Sequence, residues 1–221
     1  GHGGILGSVG PPVTIWYAPA YKRTSTSDVN LSRLPETVEF LDTVGDAAAT
    51  RVRVKNADGT LRGEIIPRVN IVKYGAYTDE EDAENPDHEV DILARIQKAR
   101  EEQSRADAEA LPFHGFIMEG TNPYGMGSGS QHTALAIAAF SGMPVVRVAR
   151  ADPGGMVTVA RNPLTIAGSN LDTNKARLLL IAAMLKLGRL PKAKDPRNPT
   201  AMERDAVLAR IAEFNSIFES H

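Results

Sequence analysis

The sequence predicts an α/β protein with a parallel sheet in its second half. Three observations carry this. "GFIMEG" (115–120), "QHTALAIAAF" (131–140) and "PVVRVA" (144–149) read as strand, helix and strand. A strand-helix-strand unit implies parallel pairing, with helices covering the sheet. "VNIVKYG" (69–75) reads as a further buried strand. The last fifty residues carry two helical periodicities and little else.

Taken in order, residues 13–18 form an apolar run after Pro11-Pro12, the mark of a buried strand. Residues 21–35 are polar and read as a loop. Residues 50–73 hold strand-like pieces around "NADGT", where Asp58-Gly59 signals a turn. The acidic stretch "TDEEDAENPDHEVD" then runs into a helix with Val90, Leu93, Ile96 and Ala99 on one face. "LTIAGS" (164–169) is a short strand. The helix after it has Asp172 or Thr173 as its N-cap and Gly188 as its stop. "RLPKAKDPRNP" is a proline-broken connector. The final helix opens on a capping box of Thr200 and Glu203, and buries Val207, Ile211, Phe214 and Phe218. A boundary within 45–68 divides the chain into 1–60 and 61–221, with an acidic helical insertion at 78–110.

Bulk composition narrows the function. With 221 residues, 42% apolar and 24% charged, the chain is long enough to bury a sizeable core. It has no cysteine, which excludes disulfides, thiol catalysis and cysteine-held zinc. A net charge of -2 gives no electrostatic reason to expect nucleic acid or an anionic membrane. No apolar run approaches the roughly 20 residues of a membrane span, and "GHGGILGSVG" does not read as a signal peptide. A cytoplasmic location is expected.

Several segments could carry chemistry. "EGTNPYGMGSGS" (119–130) joins a strand to a helix, where backbone N–H groups and the helix N-terminus can meet an anion. Its spacing is neither the dinucleotide fingerprint nor a phosphate loop with G-K-[ST], so no cofactor is expected. Ser130 and His132, with Asp152 downstream, are better read as a helix cap and an ordinary histidine than as a hydrolase triad. The histidines show no metal spacing, although His88 lies among carboxylates. Arg147 and Arg150 sit at alternate positions of one strand, and fit salt bridges at its end. "AYKRTSTSD" (20–28) sets Lys22 and Arg23 before Thr24, Ser25, Thr26 and Ser27.

Together these phrases resemble the bacterial-type L-asparaginase/glutaminase family. "GFIMEGTNPYG" is similar to that family's "GIVIEGTGNGN", and "MPVVRVAR" to its "PVVRTSR". A proline-glycine turn follows, here "DPGG". "IAGSNLDTNKARLLLIAAMLKLG" then resembles a strand ending in "AGxL" and a helix "xPxKARxLLxLAL". "AYKRTSTSDV" resembles "DVTKTNTTDV". The likeness runs from about residue 12 to 188, broken by the acidic insertion and a lengthened connector.

The resemblance implies a hydrolase that cleaves a side-chain carboxamide, as in asparagine or glutamine, through a threonine acyl-enzyme. It implies a proton relay of threonine, lysine and aspartate. The family's lysine aligns with Arg23, with Lys22 one position away. Arginine does not act as a neutral base. The family's asparagine, reaching in from a neighbouring subunit, corresponds to Asn122 or Ser128, and Arg161 stands where a glutamate would be. The nucleophile phrases "TGGTI" and "TGT/TDT" are absent from these residues. The resemblance therefore implies the C-terminal part of such an enzyme, inactive alone, with its nucleophile elsewhere: the remainder of an N-terminal α/β sheet domain, followed by a smaller parallel α/β C-terminal domain of asparaginase type. A homo-oligomer, dimer or tetramer, or an N-terminal partner fragment is the expected assembly. Two alternatives stand beside this: a non-catalytic small-molecule binding module on the same fold, and an unrelated α/β binder of a phosphate or carboxylate through 119–130.

Overall fold

The computed structural model describes residues 5–7, 15–17, 34–75, 83–106, 112–150 and 157–219. Within it, eight strands and four α-helices follow the chain as β1 (Ile5–Gly7), β2 (Ile15–Tyr17), β3 (Thr37–Phe40), β4 (Thr50–Arg53), β5 (Arg68–Lys73), α1 (Val90–Arg105), β6 (His114–Gly120), α2 (Gly129–Phe140), β7 (Val145–Ala149), β8 (Ile166–Ala167), α3 (Thr173–Leu187) and α4 (Ala201–Glu219). The α/β class is as the sequence predicts. A four-stranded parallel sheet in the order β5-β6-β7-β8 forms the centre. β1 pairs with β2 and β3 with β4, both antiparallel.

The sheet is covered on two sides because β6 alternates. Phe116 and Met118 join Ile92 and Ile96 of α1 and Ala134, Leu135 and Ala138 of α2 in one apolar cluster. Ile117 points the other way, into a larger cluster with Leu180 and Met184 of α3 and Val207, Ile211 and Phe214 of α4. Successive side chains of a strand face opposite sides, so a strand buried on both reads as one continuous apolar run. "GFIMEG" is such a run. The β3–β4 hairpin belongs to the second cluster through Val38, Phe40, Val52 and Val54.

The helices obey their termini. Asp172 accepts a hydrogen bond from the Lys175 backbone N–H at 2.8 Å, which makes it the N-cap of α3. Gly188 ends that helix at φ +83°. The expected stripe of α4 is buried throughout, at Val207, Ile211, Phe214 and Phe218. Each such side chain contributes about 1.5–3 kcal/mol relative to full exposure. Alongside them, Asn215 Oδ1 accepts the backbone N–H of Ala167 at 2.9 Å, so α4 covers the outer edge of β8.

Three elements differ from the sequence expectation, β1 among them, since the sequence predicts no strand before residue 13. The buried face of α1 is Ile92, Ile96, Ala99 and Gln103, while Val90 is 69% exposed. The helix is rotated because its partners, α2 and β6, lie on the Ile92 side. β3 was not anticipated; four residues are too few for their alternation to stand out. No helix among the described residues is long and apolar enough to cross a membrane.

Candidate functional site

Ligands of open α/β sheets bind beyond the carboxyl ends of the strands, and that edge holds the most connected polar cluster near the loop in question. Lys73 closes β5, opposite Glu119 of β6. Glu119 faces the side covered by α3, whose first residue is Thr173. Thr173 Oγ1 donates to Glu119 Oε2 at 2.6 Å, and Arg150 Nε donates to Glu119 Oε1 at 3.1 Å. The Thr173 hydrogen bond, aided by the Arg150 hydrogen bond and the charges of Lys73 and Arg150, outweighs burial and holds the Glu119 carboxyl below the usual range. Glu119 is thus an ionised acceptor at neutral pH. Arg150 makes the salt bridge expected of it at a strand end.

From Glu119 the chain enters the glycine-rich loop. The Thr121 N–H donates to the Met126 carbonyl at 2.9 Å and the Gly125 N–H to the Thr121 carbonyl at 2.7 Å, so the loop doubles back tightly. A Cβ on Gly120 would lie 2.2 Å from the Gly125 carbonyl group, and this close approach explains the glycine. Arg147 pins the loop from beneath. Its fully buried guanidinium donates to the Tyr124 carbonyl, to the Thr158 carbonyl at 2.7 Å and to Thr165 Oγ1 at 3.3 Å. Burial, and secondly the nearby Arg161, bring its pKa down to about 10, so it remains a cation. Arg161 stacks over the Tyr124 ring at 4.0 Å. Arg147 therefore makes carbonyl hydrogen bonds rather than the expected salt bridge.

Asn122 sits exposed at the tip of this loop, and its side-chain amide has no hydrogen bond to another described residue. Ser128 lies at the opposite end, as N-cap of α2. Its Oγ accepts the Gln131 N–H at 3.1 Å, while Gln131 Oε1 accepts the Ser128 N–H at 3.2 Å. This is a complete capping box. Beside it, Ser130 Oγ donates to Glu89 Oε1 at 2.7 Å. The α2 N-terminus, which favours negative charge, thus already holds a carboxylate from its own chain. Gly129 packs so closely on residue 83 that a Cβ would lie 2.6 Å from the Ala83 carbonyl oxygen. The loop is closed on itself and does not present the open anion cradle that its glycines suggest.

Lys22, Arg23 and Asp152 lie outside the described residues. Asn122 and Ser128 share one loop but serve different ends of it, one free and one engaged in the cap. Ser130 and His132 do not assemble: Ser130 turns to Glu89, and His132 Nδ1 lies 2.8 Å from the Ser128 carbonyl oxygen. The Glu119–Thr173 pair escaped the sequence reading. Its signal was available, because Glu119 ends a strand and Thr173 starts a helix, and both termini fall at the same sheet edge. Compared with known proteins, the chain matches no family model. It also matches no curated protein.

Proposed function

We propose that the chain is the C-terminal part of an asparaginase/glutaminase-like amidohydrolase, which hydrolyses a side-chain carboxamide to acid and ammonia. The observation that carries this reading is the ordered series of phrases "GFIMEGTNPYG", "MPVVRVAR" and "IAGSNLDTNKARLLL". In support of it, these phrases coincide with three neighbouring strands of the central sheet, β6, β7 and β8, and with the helix α3 that follows. The chemistry needs a hydroxyl nucleophile with a partner that accepts its proton. On this reading the threonine nucleophile comes from residues outside these 221. Lys22 or Arg23 would stand at the relay position, and only Lys22 could take up a proton there. Asn122 offers both a donor and an acceptor, which suits the amide or carboxylate of asparagine or glutamine. Ser128, already committed to the cap, suits that role less well. The assembly would be a dimer or tetramer, or a complex with an N-terminal fragment, in the cytoplasm.

The test is ammonia release from L-asparagine and L-glutamine by the full gene product. Activity that disappears in Lys22→Ala, with KM raised in Asn122→Ala, is the expected outcome. A second reading, a non-catalytic binding module on the same fold, is favoured by Arg23 at the position of the family's lysine. No ammonia above background, together with saturable binding of L-aspartate by calorimetry, would select that module instead.

A further inference from the structure

A second polar cleft lies far from Glu119, toward the strand N-termini, where α1 ends beside the start of β6. Its volume is about 410 Å³, and it is lined by Gln97, Arg100, Glu101, Ser104 and Lys192. The first four are spaced i, i+3, i+4 and i+7, so they form one outward stripe of α1. Lys192 comes from the connector between α3 and α4. Its backbone is fixed on both sides: its N–H donates to the Asp42 carbonyl at 2.8 Å and its carbonyl accepts from Val44 at 3.3 Å. The next residue, Ala193, donates to the Phe140 carbonyl at the end of α2. The lysine is therefore a positioned cation and not a freely sampling surface chain.

Two cations, Arg100 and Lys192, and one carboxylate, Glu101, line this cleft. Asp42 is shared between Lys192, at 3.4 Å, and Arg189, a side chain only 1% exposed. Arg189 Nε and one terminal nitrogen have no hydrogen-bond partner among the described residues. Arg100 has no hydrogen bond or ion pair among the described residues. The acids nearby are already engaged. Glu101 accepts from Gln97 at 2.9 Å and lies 3.7 Å from Arg105. Glu102 pairs with Arg68 at 2.7 Å. Asp46 accepts the Thr43 N–H at 2.8 Å. Burial first, and then Arg189 and Arg100, push Lys192 down to about 8, against the opposing pull of Asp46.

We propose that this cleft is a binding site for the phosphate group of a small molecule, with Arg100 and Lys192 as its direct contacts and Arg189 supplying field from behind. Two cations from different elements face one opening, which suits a doubly charged oxyanion better than a single carboxylate. The volume exceeds that of phosphate alone, leaving room for the body of a phosphomonoester. This site is independent of the amidohydrolase reading, and its test does not use that activity.

The experiment is calorimetric titration of the full chain, at constant ionic strength, with inorganic phosphate, glycerol 1-phosphate and acetate. Saturable binding of phosphate or of the ester, with acetate at least tenfold weaker, is expected. Tighter binding of the ester than of free phosphate assigns the cleft to a phosphorylated metabolite; equal binding assigns it to free phosphate. Arg100→Gln removes an exposed side chain with no partner among the described residues, so it should fold normally and weaken binding at least fivefold. Lys192→Gln should do the same, and Lys186→Gln, on the exposed face of α3, should not. Absence of saturable binding, or binding unchanged in Arg100→Gln, would overturn the proposal.

Discussion

Thr173 Oγ1 donates a 2.6 Å hydrogen bond to Glu119 Oε2, tying the first residue of α3 to the end of the central strand β6. The bond links two elements more than fifty positions apart in sequence, and is the main cause that lowers the pKa of Glu119. Thr173→Val should cost about 1–2 kcal/mol at pH 7, in line with hydrogen bonds to charged groups at partly buried sites. Because Glu119 titrates lower in the folded chain than its ordinary 4.5, its contribution is complete above that value. It is lost as pH falls through the folded value. The difference between wild type and Thr173→Val, followed by urea unfolding, should therefore shrink as pH falls below 4.5. A difference that stays constant down to pH 3 would contradict the role given to the pair.

Gly120→Ala tests the closed loop. The added methyl would meet the Gly125 backbone at 2.2 Å, and backbone yields less readily than a side-chain tip. A cost of about 2–3 kcal/mol is expected, at the upper end for overpacking. Amide chemical shifts should change at Thr121 and Met126. Substitution without loss of stability would mean that the loop is more open than described.

Asp42 and Arg189 form the most deeply buried ion pair described, and removing one member leaves the other stranded. Asp42→Ala should cost about 3 kcal/mol or more, whereas Asp42→Ala combined with Arg189→Met should recover much of that loss. The denaturation midpoints of the two variants decide the matter. Equal destabilisation would show that packing, rather than the uncompensated charge, dominates at this position.

Asn122 and Ser128 separate a free side chain from a structural one. Ser128→Ala should lower stability by about 1 kcal/mol through loss of the α2 cap. Asn122→Ala should lie within about 0.5 kcal/mol of wild type, since its exposed side chain makes no hydrogen bond to another described residue. Thermal melts of both check this. A stability loss in Asn122→Ala would count against its being available to a ligand.

Much of the fold was legible because local rules and tertiary contacts agreed. The stripe of Val207, Ile211, Phe214 and Phe218 repeats at helical spacing, and every member is buried. The Asp58-Gly59 turn forms with Gly59 at φ +82°, and Asp172 caps α3 as one of the two residues proposed. Legibility failed where the partner mattered more than the pattern. Val90 is apolar like Ile92, yet it is exposed while Leu93 packs beside Ile92, and only the positions of α2 and β6 decide which face of α1 is buried. The glycines of 119–130 likewise signal close backbone approach. Whether that approach is to a ligand or to the chain itself is not written in their spacing.

The sequence by itself determined the α/β class, the parallel strands and most helix boundaries, because these rest on periodicity and on capping residues a few positions apart. Only the tertiary structure decided which polar groups meet. Glu119 finds Thr173 and Arg150, Glu89 reaches the α2 N-terminus, and Lys192 comes to face Arg100. Each of these meetings depends on a sheet edge or a helix face assembled from distant segments. Electrostatic and hydrogen-bond energies act over a few ångströms of space, whatever the separation along the chain.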